Sequence, residues 1–396
     1  MIVTPLSGRA TAVRDALLSH GWEGDLASLT AGGLDRAAFH VTGIDASVAE
    51  AMVPLAARLG LELVTGDGWL LLIGGRSRFG AFARPWVQPE VVQALAIAVG
   101  MALPAESEPQ WRHARGVIAV DRAVIVGVIN VTPDSFSDAG LVVSTDEALR
   151  RADQLLDGGA TVLDVGGEST RPGAEPIAAA VEQSRVLPVL EALARRHPAL
   201  PLSVDTVHAT TADAAIGVGA SIINDVTAGR HDADLVRVAV RHGAGLVLSH
   251  SRGPLGQLAS YDEAEYGGDV TGGVVRELVS AMTGAAEAGV QRECVVLDPG
   301  FGFAKTARQS LTLLHELDAL VALGVPVLVG VSRKRFLGEA SGRASDDRDR
   351  ATAAACALAY ERGARLFRVH DPAAVRDALA VAEAVAGALP RGTRPG

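Results

Sequence analysis

The sequence predicts an α/β protein, a (β/α)8 TIM barrel preceded by a small N-terminal α/β domain. Three observations carry that expectation. From Val124 onward, short runs of Val, Ile, Leu and Ala recur eight times; each run ends in polar residues that an apolar core rejects; and each is followed by a stretch of helical periodicity. Repeated strands and helices of this kind close into a barrel, and polar residues at the strand exits place a reactive site at its C-terminal mouth.

The first part of the chain, residues 1–112, lacks this rhythm and reads as an accessory α/β domain. AFHVTGI (38–44) has strand character, and SVAEAMVPLAARLG (47–60) is an amphipathic helix closed by Gly60. LELVT and WLLLIGG are two strands around Gly66-Asp67-Gly68, and RFGAFARPW is a short helix stopped by Pro85. His40, Arg76 and Trp86 are isolated polar or aromatic positions there, more simply read as surface or packing than as a site. PAESEPQWRHARG (104–116), with two prolines and scattered charge, reads as a linker.

The barrel then occupies 117–390. Its strands run AVIVGVI into Asn130, ATVLDV into Glu168 and Arg171, LSV into Asp205, SIIN ending at Asn224 and Asp225, and GLVLS into His250. CVVL leads into Asp298, VLVGVS into Arg333 and Lys334, and RLFRV into His370. Helices are expected over 145–157, 176–196, 208–217, 232–241, 270–288, 307–322, 346–361 and 371–388. Ser144 and Thr145 are capping residues for the first, and Asp371-Pro372 suits the start of the last.

Composition bounds the function. Of 396 residues, 48% are hydrophobic and 21% charged, the balance of a globular enzyme with a large core. A net charge of −10 without any Lys/Arg run argues against nucleic acid or an anionic membrane as partner. Cys294 and Cys356 are too few for a disulfide framework, and each sits in an apolar stretch as a buried thiol would. No segment approaches the ~20 apolar residues of a membrane span, and no secretory pattern opens the chain, so a cytoplasmic protein is expected.

The strand exits carry the chemistry. INVTPDSFSDAG (129–140) is a loop of small, hydroxylic and acidic residues with one aromatic, suited to closing over a ligand. Asn130 stands at its start, where a side-chain oxygen suits Mg2+ or simply caps a turn. In GGESTRPGAEP (166–176), Thr170 and Arg171 among Gly166, Gly167 and Gly173 fit an anion. Asp205, Asn224 and Asp298 are acceptors at strand ends, where a carboxylate is either paired with a cation such as Lys334, Arg368 or Arg171, or used by a ligand with amide-like and amino edges. GVSRKRFLG (330–338) and RVHD (368–371) put cations after the seventh and eighth strands, where barrels often hold phosphate. Arg368 and His370 lie two apart on a strand and so share a side, which suits a diphosphate. His250 has no partner at metal-ligand spacing and reads as structural; no His-x-His, GxSxG or GxGxxG motif is present.

Taken in order, GVINVTPDSFSDAG, DVGGESTRPGAEP, SVDT, IINDV, DPGFGFAKT, VGVSRKRFLG and RVHD resemble the signature segments of the dihydropteroate synthase family of pterin-binding barrels, across roughly 117–388. The resemblance implies condensation of 6-hydroxymethyl-7,8-dihydropterin diphosphate with p-aminobenzoate. It implies a pterin held by Asp205, Asn224, Asp298 and Lys334, and a diphosphate on Asn130 with Mg2+, Thr170, Arg171, Arg368, Val369 and His370. It further implies a p-aminobenzoate pocket completed by Phe136, Thr170 and Pro172, and a homodimer. Catalysis would rest on Asp205, Asp298, Lys334, Arg368 and His370.

Two features depart from the family pattern. Ser249 and Ser251 flank His250 where methionines are usual, and Arg335 stands where some members have a serine that meets the p-aminobenzoate carboxylate, a task an arginine also suits. Two other readings share the fold: a methyltransferase acting on a reduced folate, for which the anion residues have no use, and a catalytically silent pterin binder whose first domain recruits a partner.

Overall fold

The computed structural model describes residues 2–6, 20, 36–75, 78–79, 82–83, 89–102, 110–132, 144–168, 175–321 and 323–388. They fall into two units, one built on the first 106 residues together with Asp318–Gly324, the other on Ser107–Leu317 and Val325–Ala386.

In the first unit, β1 (Ile2–Leu6), β2 (Arg36–Thr42), β3 (Glu62–Gly66) and β4 (Trp69–Gly75) form an antiparallel sheet in the order β1-β2-β4-β3. Alternation along β2 and β4 sends Phe39, Val41, Leu70 and Leu72 into one cluster with Met52, Leu55, Leu95 and Val99 from the helices Ala46–Leu59 and Glu90–Ala102. Ala38, Trp69, Leu71 and Ile73 form a second cluster on the opposite face. The expected closure at Gly60 is present: its φ is 67° and its N–H bonds Ala56 and Ala57 carbonyls. Strand β1 and the helix Glu90–Ala102 are elements that the residue pattern alone did not separate. His40 meets His20 (Nε2 to Nε2, 3.0 Å), and His20 stacks on Trp69 at 4.3 Å between ring centroids; Arg76 and Trp86 lie outside the described residues.

The second unit begins earlier than composition suggests. Half of the expected linker is a hairpin, β5 (Gln110–His113) and β6 (Gly116–Ala119), whose Trp111 is fully buried and donates from Nε1 to the Cys294 carbonyl at 3.0 Å. The barrel strands follow as β7 (Val124–Asn130), β8 (Val162–Gly166), β9 (Leu202–Asp205), β10 (Ile222–Asp225), β11 (Gly245–Ser249), β12 (Val295–Asp298), β13 (Leu328–Val329) and β14 (Leu366–Val369). All are parallel, in the order β12-β11-β10-β9-β8-β7-β14-β13, and a parallel bridge between Leu297 and Val327 closes the ring. This is the predicted (β/α)8 barrel.

Helices follow the strands with sequence-encoded starts. Ser144 forms a capping box with Glu147, accepting from its N–H at 3.2 Å; Thr306 does the same with Gln309. The expected helix over 307–322 is broken into Ala307–His315 and Asp318–Val321, and a further helix, Arg335–Ser341, precedes Asp349–Glu361. Among the described residues no helix is long and apolar enough to cross a membrane.

Candidate active site

The barrel interior is layered, and the strand period of two explains how. Val126, Val162, Ile222, Val247, Val296, Leu328 and Leu366 share one apolar cluster with Trp111. Two residues further along, on the same face of each strand, the side chains become Val128, Asp164, Asn224, Ser249, Asp298, Gly330 and Arg368. A dry lower layer is thus capped by a polar one, toward the C-terminal ends of the strands.

Arg368 organises that polar layer. Its Nε lies 2.6 Å from Asp164 Oδ2 and one terminal nitrogen lies 2.7 Å from Asp205 Oδ2. Asn224 Nδ2 donates to the same Asp164 oxygen at 3.0 Å. Asp164 Oδ1 and Asn224 Oδ1 are buried and without a hydrogen-bond partner among the described residues, so two acceptors are left for a ligand. Burial works against the Arg368 charge, but Asp164 and Asp205 outweigh it and hold its pKa above the ordinary value. Burial pushes Asp205 up to about 7 against the pull of Arg368, with Asp164, Glu182 and Asp225 adding to the rise.

Asp298 and Lys334 form the second half of the site. Asp298 Oδ1 accepts the Gly300 N–H at 2.7 Å, and burial raises its pKa despite that bond and the nearby charges of Lys334 and Arg368. Gly300 has φ of 65°, and a Cβ there would stand 1.8 Å from the His250 carbonyl oxygen, so this turn requires glycine. Lys334 caps the helix Arg335–Ser341 and lays Nζ 3.8 Å from the Phe303 ring centroid. Burial lowers its pKa to about 8, opposed by Asp298.

His370 marks a cationic rim. Its backbone N–H and Nδ1 meet Ser332 Oγ at 3.2 and 3.0 Å, and its carbonyl accepts from Arg151. Burial depresses its pKa to about 4, and Arg368, Arg333, Lys334 and Arg151 depress it further. Positive charge converges there, so an arriving anion relieves repulsion. Arg333, with φ of 58°, is itself committed to Asp349 through two contacts of 2.8 Å.

Several expected residues stand elsewhere. Val369 is fully buried on the opposite strand face from Arg368, so its side chain packs outside the interior and offers a ligand nothing but backbone. Arg335 is half exposed, lies 3.9 Å above the Tyr261 ring and pairs with Glu339, outside the polar layer. Arg368 is committed to Asp164 and Asp205 in the polar layer. Asp225 accepts from Thr227 and Gly229 backbone N–H groups in a turn of its own. Asn130 ends β7 half-buried, in register with Gly166. Phe136, Thr170, Arg171 and Pro172 lie outside the described residues.

His250 points away from the interior, as its parity with Leu248 requires, and is structural. Its Nδ1 accepts from Lys305 Nζ at 2.8 Å and its Nε2 meets Glu277 at 3.1 Å. Lys305, fully buried, also donates to the Gly300 and Phe303 carbonyls at 3.1 and 3.0 Å, so all three ammonium protons are used to hold the turn beneath Lys334. Three buried charged groups around the site escaped sequence reasoning: Asp164, Glu182 and Lys305. Asp164 alone had a signal, since period two sets it on the same face as Gly166 in an otherwise apolar run.

The barrel portion of the chain is similar to known proteins. Residues 126–370 match the family model described as pterin binding enzyme. The chain is 41% identical over 251 residues to a dihydropteroate synthase of Bacillus subtilis, covering 63% of this chain and 84% of the relative. A Xanthomonas albilineans dihydropteroate synthase solved with 4-aminobenzoic acid aligns at TM-score 0.66 and 41% identity, over 72% of this chain and 100% of that one. The same organism's enzyme in complex with 7,8-dihydropteroate aligns at TM-score 0.63 and 39% identity, over 71% and 100%.

Proposed function

The chain belongs to the pterin-binding enzyme family, and on that premise we infer that it is a transferase catalysing the dihydropteroate synthase reaction. It joins 6-hydroxymethyl-7,8-dihydropterin diphosphate to p-aminobenzoate, giving 7,8-dihydropteroate and diphosphate. The observation that carries this reading is the juxtaposition of unsatisfied acceptors at Asp164 and Asn224 with the cationic rim around His370, joined through Arg368.

The arylamine nitrogen is neutral at pH 7 and attacks the exocyclic methylene carbon with its own lone pair, so no strong base is required. The C–O bond breaks and its electron pair leaves with the diphosphate; the new C–N bond then sheds the amine proton. Asp205, Asn224 and Asp298 orient the pterin, and the carboxylates favour the positive charge that develops on it. Arg368 uses two of its five N–H donors on Asp164 and Asp205, leaving the others for the ligand. Lys334, Arg368 and His370 stabilise the departing diphosphate.

Mg2+ is proposed to enter with the diphosphate and to take the Asn130 side-chain oxygen. Among the described residues no three His, Cys, Asp or Glu gather into a cage, which suits an ion that keeps water and phosphate oxygens around it. When bound it neutralises charge on the leaving group. Phe136, Thr170, Arg171 and Pro172 are proposed to complete the anion and p-aminobenzoate sites from their two loops. A cytoplasmic homodimer is the proposed working form; Cys294 and Cys356, both buried free thiols, suit a reducing compartment.

The test is to mix both substrates with Mg2+ and assay products. Diphosphate and dihydropteroate appear together under this reading; a methyl-transferring or silent barrel releases neither.

A further inference from the structure

Ser249 is the last residue of β11 and 1% exposed. It stands two residues beyond Val247 of the apolar interior cluster, on the same face, which sets its hydroxyl in the polar layer with Asp164, Asn224, Asp298 and Arg368. Its strand lies between β10, which carries Asn224, and β12, where Asp298 is its register partner. The other members of the layer are bonded to one another or to the backbone of the Gly300 turn. Ser249 differs from the other polar side chains of the layer in that, among the described residues, it makes no side-chain hydrogen bond at all, neither within the layer nor to a backbone carbonyl.

A buried hydroxyl without a partner destabilises a fold, and an alanine would fill the same position at no such cost. Such a group is retained where a ligand satisfies it. The neighbouring Ser251 illustrates the structural alternative: its hydroxyl donates to the Val226 carbonyl at 2.6 Å and accepts from Arg230 at 2.7 Å. Only one of the two serines is free for substrate.

We propose that the Ser249 hydroxyl is a further pterin-binding group, which hydrogen-bonds the amino edge of the ring between Asn224 and Asp298. The inference rests on the proposed pterin chemistry of this site. The amino edge alternates N–H groups with a ring-nitrogen lone pair. Asn224 Oδ1 and a carboxylate at Asp298 both accept, and Asn224 Nδ2 spends one of its two N–H groups on Asp164. A hydroxyl between them both donates and accepts, so it can serve the ring-nitrogen lone pair while those oxygens take the N–H groups.

The test compares wild type with Ser249→Ala and with Ser249→Cys, which keeps the volume and weakens the donor. Ser249→Ala is expected to melt at or above the wild-type temperature, to raise the KM for the pterin diphosphate roughly three- to tenfold, and to leave the KM for p-aminobenzoate within error. Ser249→Cys should fall between the two. Calorimetric binding of 6-hydroxymethylpterin should show the same weakening, and a ring analogue with C–H in place of that ring nitrogen should bind both proteins alike. Unchanged pterin affinity in Ser249→Ala overturns the proposal, as does a lower melting temperature with both KM values rising together. Absence of diphosphate release by wild type would instead overturn the assigned reaction, while the binding comparison still decides the role of Ser249.

Discussion

Arg368 Nε lies 2.6 Å from Asp164 Oδ2, which joins the eighth barrel strand to the second across the interior. Asp164 is buried at 1% side-chain exposure, Arg368 is part-buried at 21%, and Arg368 also holds Asp205. Removing one partner of such a pair strands the other charge in the core.

Arg368→Ala should therefore cost both activity and stability. The expected loss is roughly 3–5 kcal/mol of folding free energy, with turnover reduced to background. Asp164→Asn keeps the size and one acceptor, so it should fold better than Arg368→Ala while still losing at least about tenfold in kcat/KM. Denaturant unfolding and steady-state assays on both variants check this ordering; equal stability of wild type and Arg368→Ala would remove Arg368 from its organising role.

Asp205 should set an acid limb in the pH profile. Burial raises its carboxyl to about 7, so it is protonated below that pH and ionised above it. If the ionised form supports the developing positive charge, kcat/KM falls as pH drops through about 7, because that ratio reports the free enzyme. Asp205→Asn should be slow and lack this limb. An unaltered limb in the variant assigns it to another group, such as the substrate phosphates.

His250 should make stability fall with pH as well. Its pKa is depressed by burial to about 4, below the ordinary 6.5, so the stability it contributes is complete above 6.5 and is lost as pH falls through 4. The shift corresponds to roughly 3 kcal/mol at most. Thermal melts between pH 7 and pH 4 should show a shallower decline for His250→Gln than for wild type. Parallel declines would contradict the Lys305, His250, Glu277 arrangement.

Gly300→Ala tests the turn that presents Asp298. With φ of 65° and a Cβ only 1.8 Å from the His250 carbonyl, the substitution is expected to cost at least about 3 kcal/mol or prevent folding. A variant with wild-type melting temperature would show that the turn is free to rearrange.

Much of this site was legible in the sequence because strand periodicity and barrel topology act together. Runs ending at Asp205, Asn224, Asp298 and Lys334 mark the C-terminal mouth by composition alone, and the structure gathers them there around Arg368. Asp164 was hidden because a carboxylate inside an apolar run reads as strand interior; only the alternation with Gly166 exposes it. Lys305 and Glu182 were hidden for a different reason. Their burial depends on partners, His250 and Thr206, that are 55 and 24 residues away in sequence. Val369 came into the expected site with the family resemblance, and it faces away from Arg368 because neighbouring residues on a strand point to opposite sides. The linker reading failed over 110–116 because polar composition does not reveal a single tryptophan that packs into the apolar layer of the barrel interior.

The central claim is a division of labour: interior acids and amides hold the heterocycle, and rim cations hold its diphosphate. Calorimetric titration of wild type, Asp298→Asn and His370→Ala with 6-hydroxymethylpterin, and with its diphosphate in the presence of Mg2+, tests that division directly. Asp298→Asn is predicted to weaken both ligands at least tenfold, and His370→Ala only the diphosphate. Equal weakening of both ligands by His370→Ala, or full retention of both by Asp298→Asn, would contradict it.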